Sequence, residues 1–584
     1  MASYSLYNPQ GLALELFKKR YALHESESWS EACERVGSHV AMAENGDNVP
    51  KYRQLFSDIL KTNLFMPGGR IWYGSGRPKG QLLNCFVVPT EDSREGWGKT
   101  VSDMIVICGT GGGLGVNFSP IRPRGSAING SGGTATGSVS LMEIINSGGE
   151  VIKAGGGRRA ALMFCLNLDH GDLEEFLDKK LDLEELNNAN VSVVFNDNPE
   201  DFFKLVKENK DLEFKFRGRV IGKKSAKAVW DKIVANALKG GEPGLLNGYL
   251  ANKMSNIWYH KPLISTNPCG EIWLSEYDCC CLGAIVLPRF VKDGTFDWAE
   301  MKKTVALAVR FLDDVLTVNN YPLPEIKETC SSIRRIGLGV MGLHDMLLEM
   351  NLGYNSASGL EAIDKVMETI KNVAYETSVE LAKEKGPFQM FDGDKFLKSG
   401  FAKTLKPSIR SKIKENGIRN CALLTIAPTG TTSMVSAVTG GIEPMFAPAY
   451  ERRFYDGPNL KKETVIHPLL KSFMDQGRDI AHFQGAFDIS LRDHFEVQRT
   501  CQRHLDNACS KTINLPLGTS EEELSELYIE FFPELKGVTV YPDGSREDQP
   551  LTPIPLNEAI KVLTGYESLE AYAKDPCRGG SCDI

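Results

Sequence analysis

Long hydrophobic runs are missing from this sequence. None of its 584 residues lies in a stretch of about eighteen consecutive apolar residues, the length that a membrane-spanning helix needs. The first twenty-one residues contain no apolar core of the kind that signal peptides have. Lys and Arg form no dense block either, and the net charge is −8, with both signs interspersed. We therefore expect a cytoplasmic protein whose partners include neither a membrane nor a nucleic-acid polymer.

Zinc-site spacing is also missing, although the chain has 14 cysteines. Half of them show no four-ligand pattern and are predicted to be buried, reduced thiols, because the cytosol disfavours structural disulfides. These are Cys33, Cys108, Cys165, Cys330, Cys421, Cys501 and Cys509. No metal site is predicted.

The pattern of the chain predicts three regions of an α/β protein. Residues 1–80 are predicted to be helical, with Ser28 and Glu31 as a capping box. Residues 81–548 alternate short β-type runs with amphipathic stretches, as in the strand–helix–strand unit that ends at Val538–Tyr541. Such units favour a mainly parallel sheet in one closed or barrel-like domain, with an open doubly wound sheet as the alternative. Residues 549–584 are predicted to be a flexible tail that carries Cys577 and Cys582.

A glycine-rich motif, Gly109–Gly115, follows the apolar run Met104–Cys108. A dinucleotide fold would need an acidic residue about twenty positions later to bind the ribose. No Asp or Glu lies between Asp103 and Glu143, so a tight glycine turn is the favoured interpretation.

Three further segments are candidate anion sites. Residues 120–130 and 153–160 combine glycine with arginine, so their amides and guanidinium groups could hold phosphates, although two solvated loops would explain them equally well. Residues 427–433, with the sequence Ala-Pro-Thr-Gly-Thr-Thr-Ser, follow a strand-like run and could bind a phosphate if a helix begins there.

The main candidate catalytic segment is Asn267-Pro-Cys269-Gly-Glu271, which is followed by Cys279-Cys280-Cys281-Leu-Gly283. A cysteine between an amide and a carboxylate places a reactive sulfur beside a hydrogen-bond donor and a general base. A buried turn with an incidental thiol is the alternative.

These residues resemble the catalytic subunit of ribonucleotide reductases. In that family the radical cysteine lies in an Asn-Pro-Cys-Gly-Glu loop, and a redox cysteine follows eleven positions later, here at Cys280. Leu83-Asn84-Cys85, the three anion segments and the terminal cysteine pair follow in the family's order. The fold that the resemblance implies is a ten-stranded α/β barrel of two parallel five-stranded halves, with the Cys269 loop as a central finger.

The resemblance also implies residue roles. Cys269 would carry the thiyl radical, Glu271 would accept the 3′-hydroxyl proton, and Asn267 would bind the sugar. Cys85 and Cys280 would supply the two reducing equivalents, although Cys279 and Cys281 stay alternatives to Cys280. A thioredoxin-like protein would then recharge Cys577 and Cys582, which re-reduce the catalytic pair.

Binding sites for nucleotides follow from the same resemblance. The substrate, a ribonucleoside diphosphate or triphosphate, would bind at Asn84 and at the loop Ala427, Pro428, Thr429, Gly430, Thr431, Thr432 and Ser433. An allosteric dNTP or ATP would bind at the interface of a homodimer, near Arg122, Arg124, Ile128, Lys153, Arg158 and Arg159. Ala154 stands where relatives often have glutamine, so the contacts that read the effector's base stay open.

The expected cofactor is adenosylcobalamin. Family members that need a separate metal subunit have an adjacent tyrosine pair near the last strand, and this sequence has no Tyr-Tyr dipeptide. Gly537–Arg546 resembles the corresponding strand of the cobalamin-dependent class, with Pro542 where arginine is common. The alternatives are the large subunit of a metal-dependent reductase and, of a different class, a nucleotide-binding protein without catalysis.

Overall fold

The computed structural model describes residues 4–128, 130, 132–154, 158–181, 185–456, 459–543 and 551–564. Within them the α-helices are α1 (Gly11–Arg20), α2 (Trp29–Ala41), α3 (Asn48–Lys61), α4 (Gly69–Gly74), α5 (Arg94–Gly109), α6 (Ser138–Val151), α7 (Leu173–Lys179), α8 (Pro199–Lys207), α9 (Ala226–Gly240), α10 (Gly248–Met254), α11 (Trp298–Val318), α12 (Pro324–Ile333), α13 (Leu343–Glu349), α14 (Ala357–Lys385), α15 (Gly393–Phe396), α16 (Pro407–Asn416), α17 (Gly430–Ser436), α18 (Pro468–Asp475), α19 (Leu491–Gln502), α20 (Glu521–Phe531) and α21 (Leu556–Thr564).

The strands alternate with these helices. They are β1 (Phe65–Pro67), β2 (Cys85–Val88), β3 (Gly113–Asn117), β4 (Lys153–Ala154), β5 (Arg158–Arg159), β6 (Leu162–Asn167), β7 (Ala189–Phe195), β8 (Asp211–Phe216), β9 (Arg219–Ser225), β10 (Gly244–Asn247), β11 (Ser265–Thr266), β12 (Trp273–Leu274), β13 (Leu282–Val286), β14 (Val291–Lys292), β15 (Thr295–Phe296), β16 (Gly337–Met341), β17 (Ala449–Asp456), β18 (Asn459–Ile466), β19 (Thr512–Leu515), β20 (Gly537–Pro542) and β21 (Leu551–Ile554). Short 3-10 turns lie at Leu287–Phe290, Ala402–Thr404 and Phe532–Glu534.

The N-terminal segment is largely helical, as the sequence predicts. Helix α2 begins with the capping box of Ser28, its N-cap, and Glu31 in its first turn, in which each residue caps the other's backbone amide. The segment also contributes a strand that the helical prediction left out, because β1 pairs antiparallel with β13. This pairing ties the segment into the rest of the core.

A seven-stranded sheet forms the larger layer, in the order β19-β20-β10-β7-β6-β3-β2. The five strands from β2 to β10 are mutually parallel, as connections through helices require. Strand β20 is antiparallel to β10 and parallel to β19. The predicted strand–helix–strand unit is confirmed as β19, α20 and β20, with α20 capped by Ser520.

A smaller sheet has the order β1-β13-β16, with β13 and β16 parallel. The hydrogen-bonded ladders of the described residues form no closed sheet, so the ten-stranded barrel is not confirmed. The strand-like run at 423–426 makes only isolated bridges, from Leu424 to Leu338 and from Ile426 to Cys509, both parallel. A further bridge joins Phe86 to Cys279 in antiparallel sense.

The C-terminal region differs from the prediction of a tail that is flexible from residue 549. Within residues 551–564, strand β21 pairs with β17, and helix α21 follows. Ala559 and Ile560 are fully buried in a hydrophobic cluster with Phe473, and this apolar contact holds the segment in place. Among the described residues, no helix combines the length and the apolar character needed to cross a bilayer.

Candidate active site

The segment around Cys269 forms the tip of a short antiparallel hairpin between β11 and β12. The Gly270 amide donates to the Asn267 carbonyl at 3.0 Å, and Gly270 has a φ of +77°, which glycine adopts without strain. The Ile272 amide donates to Oδ1 of Asn267 at 3.1 Å. Cys269 is exposed at this tip, whereas Asn267 and Glu271 are buried.

Residues from three other parts of the chain contact the hairpin. The side-chain amide of Asn190, in β7, donates to the Pro268 carbonyl at 2.9 Å. On the other side, the Thr425 hydroxyl lies 2.6 Å from the Glu271 carbonyl, and the Ala508 amide donates to the same oxygen at 2.9 Å. The loop that carries Cys269 is therefore fixed at its backbone from two directions.

Glycines allow this close approach. A Cβ at Gly115 would lie 1.8 Å from the Thr266 carbonyl oxygen, and one at Gly339 would lie 2.3 Å from that of Thr425. Gly115 ends the glycine-rich motif, which follows helix α5 and enters strand β3. A dinucleotide motif has the opposite order, strand before helix, so its rejection stands. Gly115 and Gly339 leave space for the backbone of Thr266 and Thr425.

Cys85 and Cys280 lie side by side at the start of β2 and just before β13. The Cys85 amide donates to the Cys280 sulfur at 3.1 Å, and the Cys280 amide donates to the Cys85 carbonyl at 3.0 Å. Cys280 is fully buried and Cys85 is half-buried. Cys279 and Cys281 face elsewhere, towards the Cys330 sulfur and the Leu312 carbonyl. Among the three adjacent cysteines, the geometry therefore places Cys280 beside Cys85.

One cavity of about 300 Å³, a size that suits a small-molecule ligand, is lined by several of these groups, whereas Asn267 and Cys280 lie outside its wall. Its wall includes the predicted residues Asn84, Cys85, Cys269, Glu271 and 427–432. Ser433 is buried behind this wall, and its hydroxyl donates to the Gly430 carbonyl at 3.0 Å. Two wall residues have a buried polar atom that makes no hydrogen bond of normal geometry, Oδ1 of Asn84 and Oε2 of Glu271, and Nδ2 of Asn267, next to Glu271, is a third such atom. Unsatisfied buried polar groups are costly, so their grouping indicates a polar ligand.

Burial changes the acidity of Glu271. Desolvation raises the pKa of its carboxyl from 4.5 to about 7, and the nearby Asn267 amide opposes this rise in part. The residue can therefore both take up and release a proton near neutral pH.

The predicted phosphate loop ends in a helix, as its interpretation requires. Helix α17 begins at Gly430, and Thr429 before it has a φ of +53°. The Thr429 hydroxyl accepts a hydrogen bond from the Gly441 amide at 2.8 Å, which fixes the turn. The loop thus presents the start of a short helix to the cavity.

The N-terminal segment supplies wall residues that the sequence interpretation missed. Tyr21, Met66, Gly68 and Gly69 all line the cavity. The Tyr7 hydroxyl also donates to the Val435 carbonyl of α17 at 2.6 Å. Nothing in the local sequence marks these positions, because the contacts join residues hundreds of positions apart.

The predicted effector residues lie outside the wall of this cavity. Arg122 binds the Asp92 carboxylate at 3.0 Å, and Arg124 binds Glu175 through two hydrogen bonds of 2.8 and 2.6 Å. The Ile128 amide donates to Gly133 at 3.0 Å. In the ladder of β4 and β5, Lys153 is in register with Arg159, and Ala154 with Arg158. Cys577 and Cys582 lie outside the described residues.

Two family profiles match this chain, one over the helical N-terminal segment and one over the α/β region. The profile of the "Ribonucleotide reductase, barrel domain" matches residues 83–541, and that of the "Ribonucleotide reductase, all-alpha domain" matches residues 7–80. A vitamin B12-dependent ribonucleoside-diphosphate reductase of Mycobacterium tuberculosis is 32% identical, over 98% of this chain and 84% of the relative. A protein of the same name from Thermoplasma acidophilum is 32% identical, over 92% of this chain and 72% of the relative.

A more distant relative has a different name. The ribonucleoside-diphosphate reductase subunit alpha of Chlamydia pneumoniae is 27% identical, over 81% of this chain and 51% of its own length. The barrel-domain match alone covers well over half of the chain, and it includes the hairpin, the cysteine pair and the phosphate loop. The chain belongs to the ribonucleotide reductase family.

Proposed function

We propose that the chain is a vitamin B12-dependent ribonucleotide reductase, which converts ribonucleotides to 2′-deoxyribonucleotides through a thiyl radical at Cys269. The observation that carries this proposal is the cavity in which Cys269, Glu271 and Cys85 share a wall with the loop at 427–432. The names of the mycobacterial and Thermoplasma relatives support the B12-dependent class.

The side chains of the site act on the ribose of the substrate. The Cys269 thiyl abstracts the ribose 3′ hydrogen, and Glu271 takes the 3′-hydroxyl proton. The unsatisfied amide atoms of Asn267 and Asn84 hold the sugar hydroxyls. A buried carboxyl with a pKa of about 7 suits proton transfer in both directions at neutral pH.

The reducing equivalents come from Cys85 and Cys280. Water leaves from the 2′ carbon, the two thiols lose two electrons and two protons, and a disulfide forms between them. The 3.1 Å contact between the Cys85 amide and the Cys280 sulfur supports this pairing. Cys577 and Cys582 then reduce the disulfide by thiol exchange, and a thioredoxin-like protein recharges them.

The cofactor proposal agrees with the exposure of the thiols. Among the described cysteines, Cys269 is exposed, Cys85 is half-buried, and the others are buried. A thiol that gives up a hydrogen atom to a bound group must be accessible to that group. Adenosylcobalamin, when bound, supplies an organic radical by homolysis of its cobalt–carbon bond. Among the described residues, none carries an observation that points to the corrin ring, so we assign none to it.

Substrate phosphates bind to the loop 427–433, where helix α17 begins. We propose a diphosphate substrate, with a triphosphate as the alternative, since the relatives are named as diphosphate reductases. Effector nucleotides bind at Arg122, Arg124, Ile128, Lys153, Arg158 and Arg159. Arg124 pairs with Glu175 at the surface, and such a pair is weak enough for a triphosphate to replace it. Arg122 pairs with Asp92, which Arg217 also contacts.

A homodimer would create the effector site. Helices α5 and α6 pack together, and both expose large apolar side chains, with Ile105 at 50%, Ile144 at 48% and Val151 at 81% exposure. A second copy would cover these side chains. An Ile144→Glu variant should therefore be monomeric in sedimentation analysis, and a variant that stays dimeric would argue against this interface.

The fold that we propose is a ten-stranded barrel. The five strands from β2 to β10 form one parallel half, and the isolated bridges extend β13 and β16 through 424–426 towards β19 and β20 as the second half. The two halves meet in antiparallel sense at two places, where β10 pairs with β20 and where Phe86 pairs with Cys279. We retain 1–80, 81–548 and 549–584 as a helical segment, a barrel domain and a redox tail. The cytoplasmic location stays a prediction.

Turnover of the isolated chain tests the proposal. With adenosylcobalamin, a ribonucleotide and dithiothreitol, we expect deoxyribonucleotide formation and an electron paramagnetic resonance signal of a coupled cobalt(II)–thiyl pair. Cys269→Ser should abolish both and still bind nucleotide, whereas Cys33→Ala, a change at a buried thiol of the N-terminal segment, should keep both.

Two results would overturn the proposal. Activity only with an added metalloprotein, and none with adenosylcobalamin, would establish the large subunit of a metal-dependent reductase. Nucleotide binding without turnover under either condition would establish a non-catalytic nucleotide-binding protein.

A further inference from the structure

Two thiols beside the active site, and outside its proposed chemistry, are almost in bonding contact. The sulfurs of Cys279 and Cys330 are 3.0 Å apart, and each residue is 1% exposed. Non-bonded carbon atoms settle at about 3.5–4.0 Å, and the bond length of a disulfide is about 2.05 Å. The pair therefore needs a shift of about 1 Å to close.

A buried ion pair holds the two backbone segments at this separation. Cys330 lies on α12, and Arg335, shortly after that helix, donates to the Asp278 carboxylate at 2.7 Å. The other oxygen of Asp278 accepts the Cys279 amide at 2.8 Å. Arg335 and Asp278 are both buried, so the contact is well shielded from solvent.

The pair is separate from the catalytic dithiol. Cys280 faces Cys85, on the opposite side of the chain from Cys279, and Cys281 contacts the Leu312 carbonyl. The sequence Cys279-Cys280-Cys281 therefore supplies one sulfur to each of two different pairs and a third to the core.

A metal ion is the competing explanation. Donor atoms of Asp278, Cys279 and Cys330 lie within 4.8 Å of one another. The Arg335 guanidinium, however, already binds the Asp278 carboxylate and repels a cation at that position. Burial also raises the pKa of both thiols, which makes the deprotonation that metal binding requires more costly.

We propose that Cys279 and Cys330 are a second redox-active dithiol, which a peroxide closes to a disulfide independently of turnover. The Cys279 sulfur attacks one peroxide oxygen, giving a sulfenic acid and water. The Cys330 sulfur then displaces the hydroxyl as a second water while the sulfur–sulfur bond forms. Two thiols and one hydrogen peroxide thus give one disulfide and two waters, with two electrons passing from the sulfurs to the peroxide. Since burial keeps these sulfurs protonated, the pair oxidises more slowly than the half-buried Cys85.

Peptide mapping of the full-length chain tests the inference. The reduced protein is exposed to hydrogen peroxide for increasing times, alkylated, digested and analysed by mass spectrometry with fragmentation. We expect a cross-link between Cys279 and Cys330 that appears after oxidation of Cys85 and disappears with dithiothreitol. Cys330→Ala should lose this cross-link, whereas Cys281→Ala, a change at a neighbouring buried cysteine, should keep it.

Three outcomes would overturn the inference. Cys330 could stay fully alkylated after exposure long enough to oxidise Cys85, or its cross-link could map to Cys280 or Cys281. Alternatively, the reduced chain could bind one equivalent of added Zn²⁺ that protects Cys330 from alkylation, which would establish a metal centre. Because the wild-type map decides each case, the test does not depend on the folding of any variant.

Discussion

Replacing Glu271 with glutamine tests whether a buried carboxyl group moves a proton during the reaction. Burial raises the pKa of Glu271 to about 7, so only half of the free molecules carry the charged form at neutral pH. A general base must be deprotonated to act. We therefore expect kcat/KM to rise about tenfold per pH unit below about pH 7 and to level off above it. The glutamine variant should lose about 10²- to 10⁴-fold in kcat.

The same substitution should change how the free energy of unfolding depends on pH. A carboxyl whose pKa is higher in the folded chain favours folding at low pH, and this contribution is lost as the pH rises from about 4.5 to about 7. At about 1.4 kcal/mol per pH unit, the loss is roughly 3 kcal/mol. Denaturant unfolding at about pH 5 and pH 8 should show this decrease in the wild type and not in Glu271→Gln.

Glu276→Gln is the matched control, since this exposed carboxylate lies five residues further along the same chain segment. It should keep the wild-type activity and pH profile. A wild-type kcat/KM that is flat between about pH 5 and pH 8, or full activity of the Glu271 variant, would refute the assignment of Glu271 as the base.

Three further predictions concern the hairpin and the cysteine pair. Gly115→Ala places a Cβ 1.8 Å from the Thr266 carbonyl, so we expect the free energy of unfolding to fall by about 3 kcal/mol or more. Gly98→Ala is the control, because this position in α5 has open space around it, and it should gain about 0.5–1 kcal/mol. Equal stabilities of the two variants would contradict this prediction. Thr425→Val removes the 2.6 Å contact with the hairpin, and it should lower kcat/KM about tenfold in steady-state assays while the fold is kept. Cys85→Ala should bind nucleotide in equilibrium dialysis and yield no product in a single turnover, and any product would remove it from the reducing pair.

Short-range features were accessible from the sequence alone. The capping box of Ser28 and Glu31 and the unit of β19, α20 and β20 depend on residues within a few positions or one crossover of each other, where spacing determines the structure. The glycine motif at 109–115 was correctly separated from a dinucleotide fold, because the acidic residue that such a fold needs was missing.

Long-range features were not accessible in this way. Cys85 and Cys280 are 195 positions apart, and their contact depends on the packing of β2 against the segment before β13. Only the family resemblance suggested that pair. The 3.0 Å contact of Cys279 with Cys330 has no signal in the sequence, which predicts only that Cys330 is a buried thiol. The docked helix α21 was missed because its apolar partners lie about a hundred residues earlier.

The shared wall of the cavity has a consequence for the evolution of the chain. Tyr21, Met66 and Gly68 belong to the all-alpha family unit, whereas Glu271 and Thr429 belong to the barrel unit. Recombination between relatives at the boundary near Gln81 would therefore join halves of one ligand site that had not adapted to each other. Chimaeras exchanged at that boundary should therefore bind nucleotide poorly, even where they fold.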